Sequence, residues 1–599
     1  MLQRLNSEFL YARGLLGALR RTGAVARARN VTLGDYFEKW AKDYGDRTAL
    51  ESDAATLTYA AMNAKANRIA RWASAQGFVK GDCVALFMRN RPDYVAIWAG
   101  FARAGLATAL INTNLFDRPL AHCVAIAKAR AIIVDDALAA PWRGAAALAG
   151  DGVRTVGYGG DSLGGERFEA QIEKFSDAPI PAGERPALTL DDAALYIYTS
   201  GTTGMPKAAR ITHSRALRVM VAFASVARAT AKDRVYLTLP MYHSNGGLIS
   251  TGIAFCGGGS AFIRERFSAS EFWREAAAKN CTVAVYIGEL CRYLLNAPPG
   301  PQDRAHSIRI CVGNGLRPDI FSAFKSRFGI KDIAEFYGAT EGNIALFNFD
   351  SHPGAVGRLP GWAAKRFPIR LIAYDVDLDQ EKRDAEGRCI ACGPDEPGEL
   401  ISEILDDPSK PAARFDGYVD AKASEAKILR GVFKPGDAWF RTGDLLKRDA
   451  LGYYYFIDRI GDTFRWKGEN VSTTEVAETL DQFPGIKEAI VYGVAVPKAD
   501  GRAGMAALVA EGSAHFDLVA LRAFCAEKLP AYARPVFLRF RPMLEVTGTF
   551  KQRKVELVGE GFDAARTIDP LYFDDRRAGA YVPVGPDFAA RLAAGEFAV

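Results

Sequence analysis

Two hydrophobic spacings alternate along the chain. Phe37, Trp40, Ala41 and Tyr44 sit at i, i+3, i+4 and i+7, which predicts a helix with one apolar face. Residues 84–88 form instead a continuous apolar run, bounded by Gly81-Asp82 and Asn90-Arg91-Pro92, and read as a buried strand. Helical spacing returns at 94–104, an apolar run at 106–111, helical spacing at 120–128 and a short strand at 131–134. Strands alternating with helices of this length predict an α/β fold with largely parallel strands. The glycine-rich stretch 150–165 reads as a surface loop.

The same pattern continues. Strands are expected at 193–198, 235–240, 282–287 and 308–312, and a turn at Leu451-Gly452-Tyr453 leads into a strand at 454–458. Beyond it a helix at 475–480, strands at 489–496 and 506–510 and a helix at 518–528 outline a smaller α/β domain. A chain of 599 residues exceeds one ordinary core, so two or more domains are expected.

Composition narrows the function classes. With 49% hydrophobic and 24% charged residues the chain reads as an ordinary globular protein. A formal charge of +6 spread over this length does not indicate a nucleic-acid partner, which calls for a clustered basic face. Nine scattered cysteines suit a reducing cytoplasm, and Cys389-x-x-Cys392 has no second pair or nearby histidine to complete a zinc site. No apolar run reaches the roughly 18 residues of a spanning helix. The start of the chain differs: Arg4, Arg13, Arg20, Arg21, Arg27 and Arg29 face one acidic residue, Glu8, and interleave with Leu2, Leu5, Phe9, Leu10, Leu15, Leu16 and Leu19. Three readings fit: a basic amphipathic helix lying peripherally on the inner face of an anionic membrane, a helix packed on the main body, or a transit peptide.

The most informative stretch is Tyr198-Thr199-Ser200-Gly201-Thr202-Thr203-Gly204-Met205-Pro206-Lys207. Glycines let backbone N–H groups converge on an anion, the hydroxyls add donors, and Lys207 adds a compact positive charge. This is a phosphate-holding loop of spacing G-x-x-G-x-x-K. It is not the common P-loop, because Ala208 stands where a magnesium-binding hydroxyl would be and Pro206 interrupts the run. The next helix is expected to start near Thr212 or His213. In Tyr337-Gly338-Ala339-Thr340-Glu341-Gly342, Tyr337 offers a ring to a base, Thr340 a hydroxyl to a phosphate oxygen, and Glu341 the hard carboxylate magnesium prefers beside substrate phosphates. Gly313-Asn314-Gly315 is equally compatible with a generic turn and with the close approach of a flat ring.

With Met241-Tyr242-His243-Ser244-Asn245-Gly246-Gly247, read as a loop after a strand, with Arg441-Thr442-Gly443-Asp444, with Phe464-Arg465-Trp466-Lys467-Gly468-Glu469-Asn470 and with Thr547-Gly548-Thr549-Phe550-Lys551, the set resembles the adenylate-forming superfamily, and within it the fatty acid transport protein / very-long-chain acyl-CoA synthetase branch. The resemblance covers nearly everything beyond about the first 30 residues. Beyond the basic amphipathic segment at 1–30, it implies a large multi-layer AMP-binding domain with mostly parallel sheets at 31–458 and a small mobile C-terminal α/β domain at 459–599, hinged near 459–462. Gly461 stands at the hinge position, where many relatives carry Lys or Asp.

The implied reaction is ATP-dependent: a fatty acid carboxylate attacks the α-phosphate to give acyl-AMP and pyrophosphate, and the thiol of coenzyme A then displaces AMP. Neither half needs a protein nucleophile, so positioning and charge neutralisation are the main tasks. By resemblance Thr199, Ser200, Gly201, Thr202, Thr203, Gly204 and Lys207 hold phosphate, with Thr203 and Lys207 also catalytic. Gly313, Asn314, Tyr337 and Thr340 hold the nucleotide with Arg459, Asp444 takes the ribose, and Glu341 binds Mg2+. Tyr242, His243, Gly338 and Gly342 border the acyl substrate, Gly468 lines the pantetheine path, and Lys551 bridges carboxylate and phosphate. The same motifs serve a ligase that loads a carrier protein, and a fatty-acid uptake or binding protein is the reading from another class.

Overall fold

The computed structural model of the chain describes residues 2–597 except 29, 151, 200–204, 365, 377, 408–409, 467–468, 498, 500, 512–515 and 545–553. It divides into two compact units: Met1–Arg358 with Glu403–Leu429 and Ala438–Phe440, and Leu359–Ser402 with Arg430–Asp437 and Arg441–Val599.

The first unit holds two sheets. In one, strands Arg154–Tyr158, Ala129–Asp135, Cys83–Phe87, Ala107–Leu110 and Ala193–Thr199 lie side by side in that order and parallel, and Lys207–Thr212 closes the edge antiparallel. In the other, Asp332–Gly338, Ile310–Asn314, Val283–Ile287, Arg234–Leu237, Ser260–Ile263 and Thr48–Glu51 form a parallel run, with antiparallel strands at each end. Central strands such as Cys83–Phe87 are buried throughout, which is why they read as unbroken apolar runs. Helix Asp93–Arg103 is likewise buried from Tyr94 on.

Two expectations need correcting here. The glycine-rich stretch 150–165 is not all loop: Arg154–Tyr158 pairs parallel with Ala129–Asp135. Its strand pattern is short because it lies at a sheet edge, and the glycines at 150, 152, 159, 164 and 165, all at positive φ, bracket it. The segment after strand Arg234–Leu237 is not loop throughout either. Residues Asn245–Ser250 form a π-helical turn that runs into helix Thr251–Cys256. A Cβ at Gly246 would lie 2.2 Å from the Pro240 carbonyl oxygen, and one at Gly247 2.3 Å from that of Met241, so the wide turn closes only with glycine there.

The amino-terminal segment is a helix, Leu2–Arg27, and it packs on the first unit. Tyr11, Ala18 and Val25, one heptad apart, are buried. The Tyr11 hydroxyl donates to the Arg358 carbonyl oxygen at 2.7 Å, Glu8 pairs with Arg358, and Gly14 lies against the Phe349 ring.

In the second unit, strands Ile369–Ile372 and Gly398–Glu403 pair antiparallel, as do Ala438–Arg448 and Tyr453–Arg459. A five-stranded sheet follows, in the order Ile486–Ala495, Arg502–Ala510, Phe537–Phe540, Leu571–Asp575, Ala580–Pro583. Helices Thr473–Leu480 and Leu518–Lys528 contribute Val476, Leu480, Leu521 and Cys525 to its core. Division by packing therefore falls elsewhere than at 458/459. Residues 359–402, 430–437 and 441–458 group with the C-terminal part.

Candidate active site

Strand Ala193–Thr199 turns back into Lys207–Thr212 with Thr199 directly opposite Lys207. The lysine is thus held at the mouth of the loop by a strand, not by a helix as in a P-loop. Ser200, Gly201, Thr202, Thr203 and Gly204 lie outside the described residues, as do Gly468 and Lys551. Helix His213–Val226 starts where expected, capped by Thr212, whose hydroxyl accepts from the Arg215 N–H at 3.2 Å.

A residue that sequence reasoning missed organises this corner. The segment 417–419 runs along the outer edge of Lys207–Thr212, with Arg210 N–H donating to Gly417 O and Val419 N–H to Ala208 O, both at 2.9 Å. It sets the Tyr418 ring 5.9 Å from Lys207 Nζ. The Tyr418 hydroxyl donates to Glu341 Oε1 at 2.8 Å and also hydrogen-bonds the Thr199 side chain. Burial first, and then the Glu341 charge, push the phenol's pKa up, so it stays a donor. Lys207, Thr199 and Glu341 are thereby tied through one side chain. The only sequence signal was a β-type triplet, Gly417-Tyr418-Val419, with no partner in sight.

The loop carrying Thr340 and Glu341 leaves the end of strand Asp332–Gly338 and is fastened from beneath. Arg215, half-buried, donates to the Ala339 carbonyl oxygen at 3.0 Å and to that of Gly342. Burial lowers its pKa, with Asp416 and Glu341 acting the other way. Asn343 donates to the carbonyl oxygens of Glu403 at 3.0 Å and Ala413 at 2.9 Å. A Cβ on Gly342 would sit 2.4 Å from the Phe440 ring, and one on Gly338 3.2 Å from Ile344 O. Gly342 is thus needed for close packing of this loop, and the contact at Gly338 is tight. Thr340 Oγ1 lies 3.3 Å from Ser244 Oγ, and Tyr337 occupies the half-buried end of the strand.

The neighbouring strand ends at Gly313 and Asn314, not before them, because both pair with Val283–Ile287. Asn314 Oδ1 accepts from Asn245 Nδ2 at 2.9 Å. The space left by the missing side chain of Gly313 is taken by Tyr286, whose ring would lie 2.6 Å from a Cβ there. Gly315 adopts φ +83° and donates its N–H to Glu335 Oε2 at 3.0 Å, while Leu316 N–H donates to Oε1 at 3.1 Å. The Tyr286 hydroxyl donates to the same carboxylate. Burial pushes the Glu335 pKa up to about 8, against the three donors. Glu335 was not singled out from the sequence, because a glutamate two residues before a tyrosine at a strand end carries no distinguishing spacing.

Tyr242 is buried, with its pKa pushed up to about 12 by burial, and its hydroxyl accepts from Asn114 Nδ2 at 3.2 Å. Its ring lies edge-on to His243, with centroids 4.5 Å apart. The His243 backbone is held at both ends, N–H to Pro240 O at 3.2 Å and C=O from Gly247 N–H at 2.7 Å.

In the second unit Asp444 and Arg459 face each other across a strand pair, with the carboxylate 3.8 Å from Nε. Gly443 is at φ +77°, and its N–H donates to Glu399, which also takes Arg441. Gly461 follows at φ +93° with open space where a Cβ would be. Lys554 pairs with Asp462 at 3.2 Å and donates to Thr473 Oγ1 at 2.8 Å.

Residues 37–402 match the family described as "AMP-binding enzyme", and residues 475–551 match "AMP-binding enzyme C-terminal domain". The chain belongs to the AMP-binding enzyme family. It is 41% identical over 580 residues to long-chain fatty acid transport protein 1 of Mus musculus, covering 96% of this chain and 89% of that one. It is 42% identical over 526 residues to long-chain fatty acid transport protein 3 of Homo sapiens, covering 87% and 76%. It therefore lies in the long-chain fatty acid transport protein branch. Among solved structures, ATP-bound MatB from Rhodopseudomonas palustris superposes with a TM-score of 0.73 at 23% identity, over 88% of this chain and 98% of that one. MenE, o-succinylbenzoate CoA synthetase from Bacillus subtilis, in complex with its acyl-adenylate gives 0.69 at 23%, over 88% and 96%. These likenesses establish the α/β fold of an adenylate-forming enzyme with a small C-terminal domain. No helix among the described residues is long and apolar enough to cross a membrane.

Proposed function

We propose that this chain is an ATP-dependent fatty acyl-CoA synthetase that makes acyl-AMP and pyrophosphate, then passes the acyl group to coenzyme A with release of AMP. The observation that carries the reading is the joining of Lys207, Thr199 and Glu341 through Tyr418: a cation, a hydroxyl and a carboxylate held together beside a Gly/Ser/Thr-rich loop. A polyphosphate needs such a mixture. Lys207 and the hydroxyls face its oxygens, and Glu341 suits a magnesium ion that completes its coordination with phosphate and water. Among the described residues no cluster of three metal-ligating side chains exists, which suits a cation brought in with the nucleotide. Magnesium, when bound, neutralises phosphate charge.

The chain's own residues do the rest. Arg215 and Asn343 fix the backbone that presents Thr340 and Glu341, so little reorganisation is needed as charge builds on the phosphates. Tyr337 and Asn314 stand at adjacent strand ends, where an α/β sheet receives a nucleotide, and Asp444 is assigned to the ribose. Tyr242 and His243 border the acyl chain, Lys551 offsets repulsion between carboxylate and α-phosphate, and Gly468 lines the thiol's path. The relatives are long-chain fatty acid transport proteins, which supports a long acyl substrate.

The test uses a series of fatty acids. Pyrophosphate release that depends on both ATP and fatty acid, followed by consumption of free coenzyme A, is expected. Pyrophosphate release without coenzyme A consumption would indicate a carrier-protein acceptor, and neither would indicate a binding protein.

A further inference from the structure

Asn90 belongs to the Asn90-Arg91-Pro92 turn that follows strand Cys83–Phe87 of one sheet, yet its side chain bonds to the other. In that other sheet, strands Arg234–Leu237 and Ser260–Ile263 run parallel and paired to their last residues, and Arg264 N–H still donates to Leu237 O at 2.9 Å. There the ladder stops, and the chain after Leu237 leaves towards Met241, Tyr242 and His243. Asn90 fills the fork. Its Nδ2 donates to Leu239 O at 2.9 Å and to Arg264 O at 3.2 Å, and its Oδ1 accepts from Met241 N–H at 2.8 Å. An amide carries two N–H donors on one side and an oxygen on the other, and here each finds a partner of the right kind. The side chain stands in for a peptide unit and carries the ladder across the fork.

The grip falls on a sensitive place. Leu239 and Met241 flank Pro240, which has no N–H of its own. Pro240 O accepts from His243 N–H at 3.2 Å, and a Cβ at Gly246 would lie 2.2 Å from it. A shift at 239–241 is therefore passed to His243 and to the π-helical turn Asn245–Ser250. From the neighbouring strand end of the same sheet as Asn90, the exposed Asn114 donates to the Tyr242 hydroxyl at 3.2 Å. The loop carrying Thr340 and Glu341 has its own fastenings in Arg215 and Asn343. The other flank of Asn90 borders a polar cavity of about 530 Å³, where Arg89 pairs with Asp135 and Glu265, and Arg264 with Glu275. Those charged side chains pair among themselves and take no part in the amide's three bonds.

We propose that Asn90 is the positioning residue of the acyl-bordering loop: by gripping the backbone on both sides of Pro240 it sets where Tyr242 and His243 stand, and Asn114 fixes the Tyr242 ring within that loop. The proposal rests on the acyl-CoA synthetase reading, which gives Tyr242 and His243 their place beside the fatty acid.

The test compares three variants of the full-length chain. Asn90→Asp keeps the side chain's size but offers no donor to the two carbonyl groups. Its KM for palmitate should rise about tenfold, while its KM for ATP stays within about twofold of wild type. Asn114→Ala, at an exposed position where folding is not at risk, should raise the palmitate KM about twofold to threefold. Glu275→Gln is the control: it breaks the pairing with Arg264 in the cavity and leaves the three bonds of Asn90 intact. It should lower the thermal midpoint and move neither KM. Hydrogen exchange at the Met241 amide should quicken in Asn90→Asp and not in Glu275→Gln. Equal rises in the two KM values of Asn90→Asp, the same kinetic change in Glu275→Gln, unchanged Met241 exchange in Asn90→Asp, or an unchanged palmitate KM in Asn114→Ala would each overturn the proposal. Absence of fatty-acid-dependent pyrophosphate release in wild type would instead defeat the synthetase reading, and Met241 exchange would still decide whether Asn90 holds the loop.

Discussion

At the scale of single residues, Tyr418 and Glu335 matter most. Tyr418 joins Lys207, Thr199 and Glu341, so Tyr418→Phe removes one donor and leaves a buried carboxylate oxygen short of a partner. A loss of about 1–3 kcal/mol is expected, read as a five- to hundredfold fall in kcat/KM for ATP in a pyrophosphate assay; an unchanged value would separate Tyr418 from the phosphate site. Glu335 gives a pH dependence. Its carboxyl is held at about 8 in the folded state, above the usual range, by burial. It therefore keeps a proton that the unfolded chain has released. Its contribution is full below the ordinary glutamate pKa and is lost as pH rises through about 8. Between about pH 5.5 and 8.5 wild type should lose about 3 kcal/mol of stability that Glu335→Gln does not. Urea unfolding at both pH values measures this, and parallel behaviour of the two proteins would place the proton elsewhere.

At the scale of elements, the loop after strand Asp332–Gly338 depends on helix His213–Val226 through Arg215. Arg215→Met should leave two carbonyl groups underpaired and let Thr340 and Glu341 drift. A fall in kcat of about tenfold to a hundredfold is expected, with a lower thermal midpoint. Normal turnover would show that Asn343 alone holds the loop. The segment at Gly461 gives the complementary test. Its observed φ of +93° is closed to proline, whose ring requires about −65°. Gly461→Pro should therefore exclude this backbone state and impair one half-reaction more than the other. Equal rates in both halves would move the hinge away from this residue.

At the scale of the whole molecule, the reaction's two halves make different demands on the C-terminal lysine. Lys551→Ala should slow adenylation by two to three powers of ten, the effect of about 3–4 kcal/mol from one aligned charge. It should spare thioester formation from supplied acyl-adenylate. Pyrophosphate exchange and thioester yield separate the two. Loss confined to the second half would refute the assignment.

What the sequence determined by itself was whatever depends on neighbours in the chain. Apolar runs located the buried parallel strands, Thr212 located the start of its helix, and glycine, hydroxyl and lysine spacing marked the phosphate-holding loop. These are local properties of backbone and side-chain type. Only the tertiary structure decided what depends on distant approach. Tyr418 meets Glu341 across 77 positions, Glu335 draws in Tyr286 across 49, and Arg215 reaches Gly342 across 127. Gly246 and Gly342 look like turn residues in sequence, yet each is fixed by an atom that packs against it, the Pro240 carbonyl oxygen and the Phe440 ring. The amino-terminal helix shows both at once: its period was legible, but which face docks and which carries exposed arginines was settled by the surface it packs on.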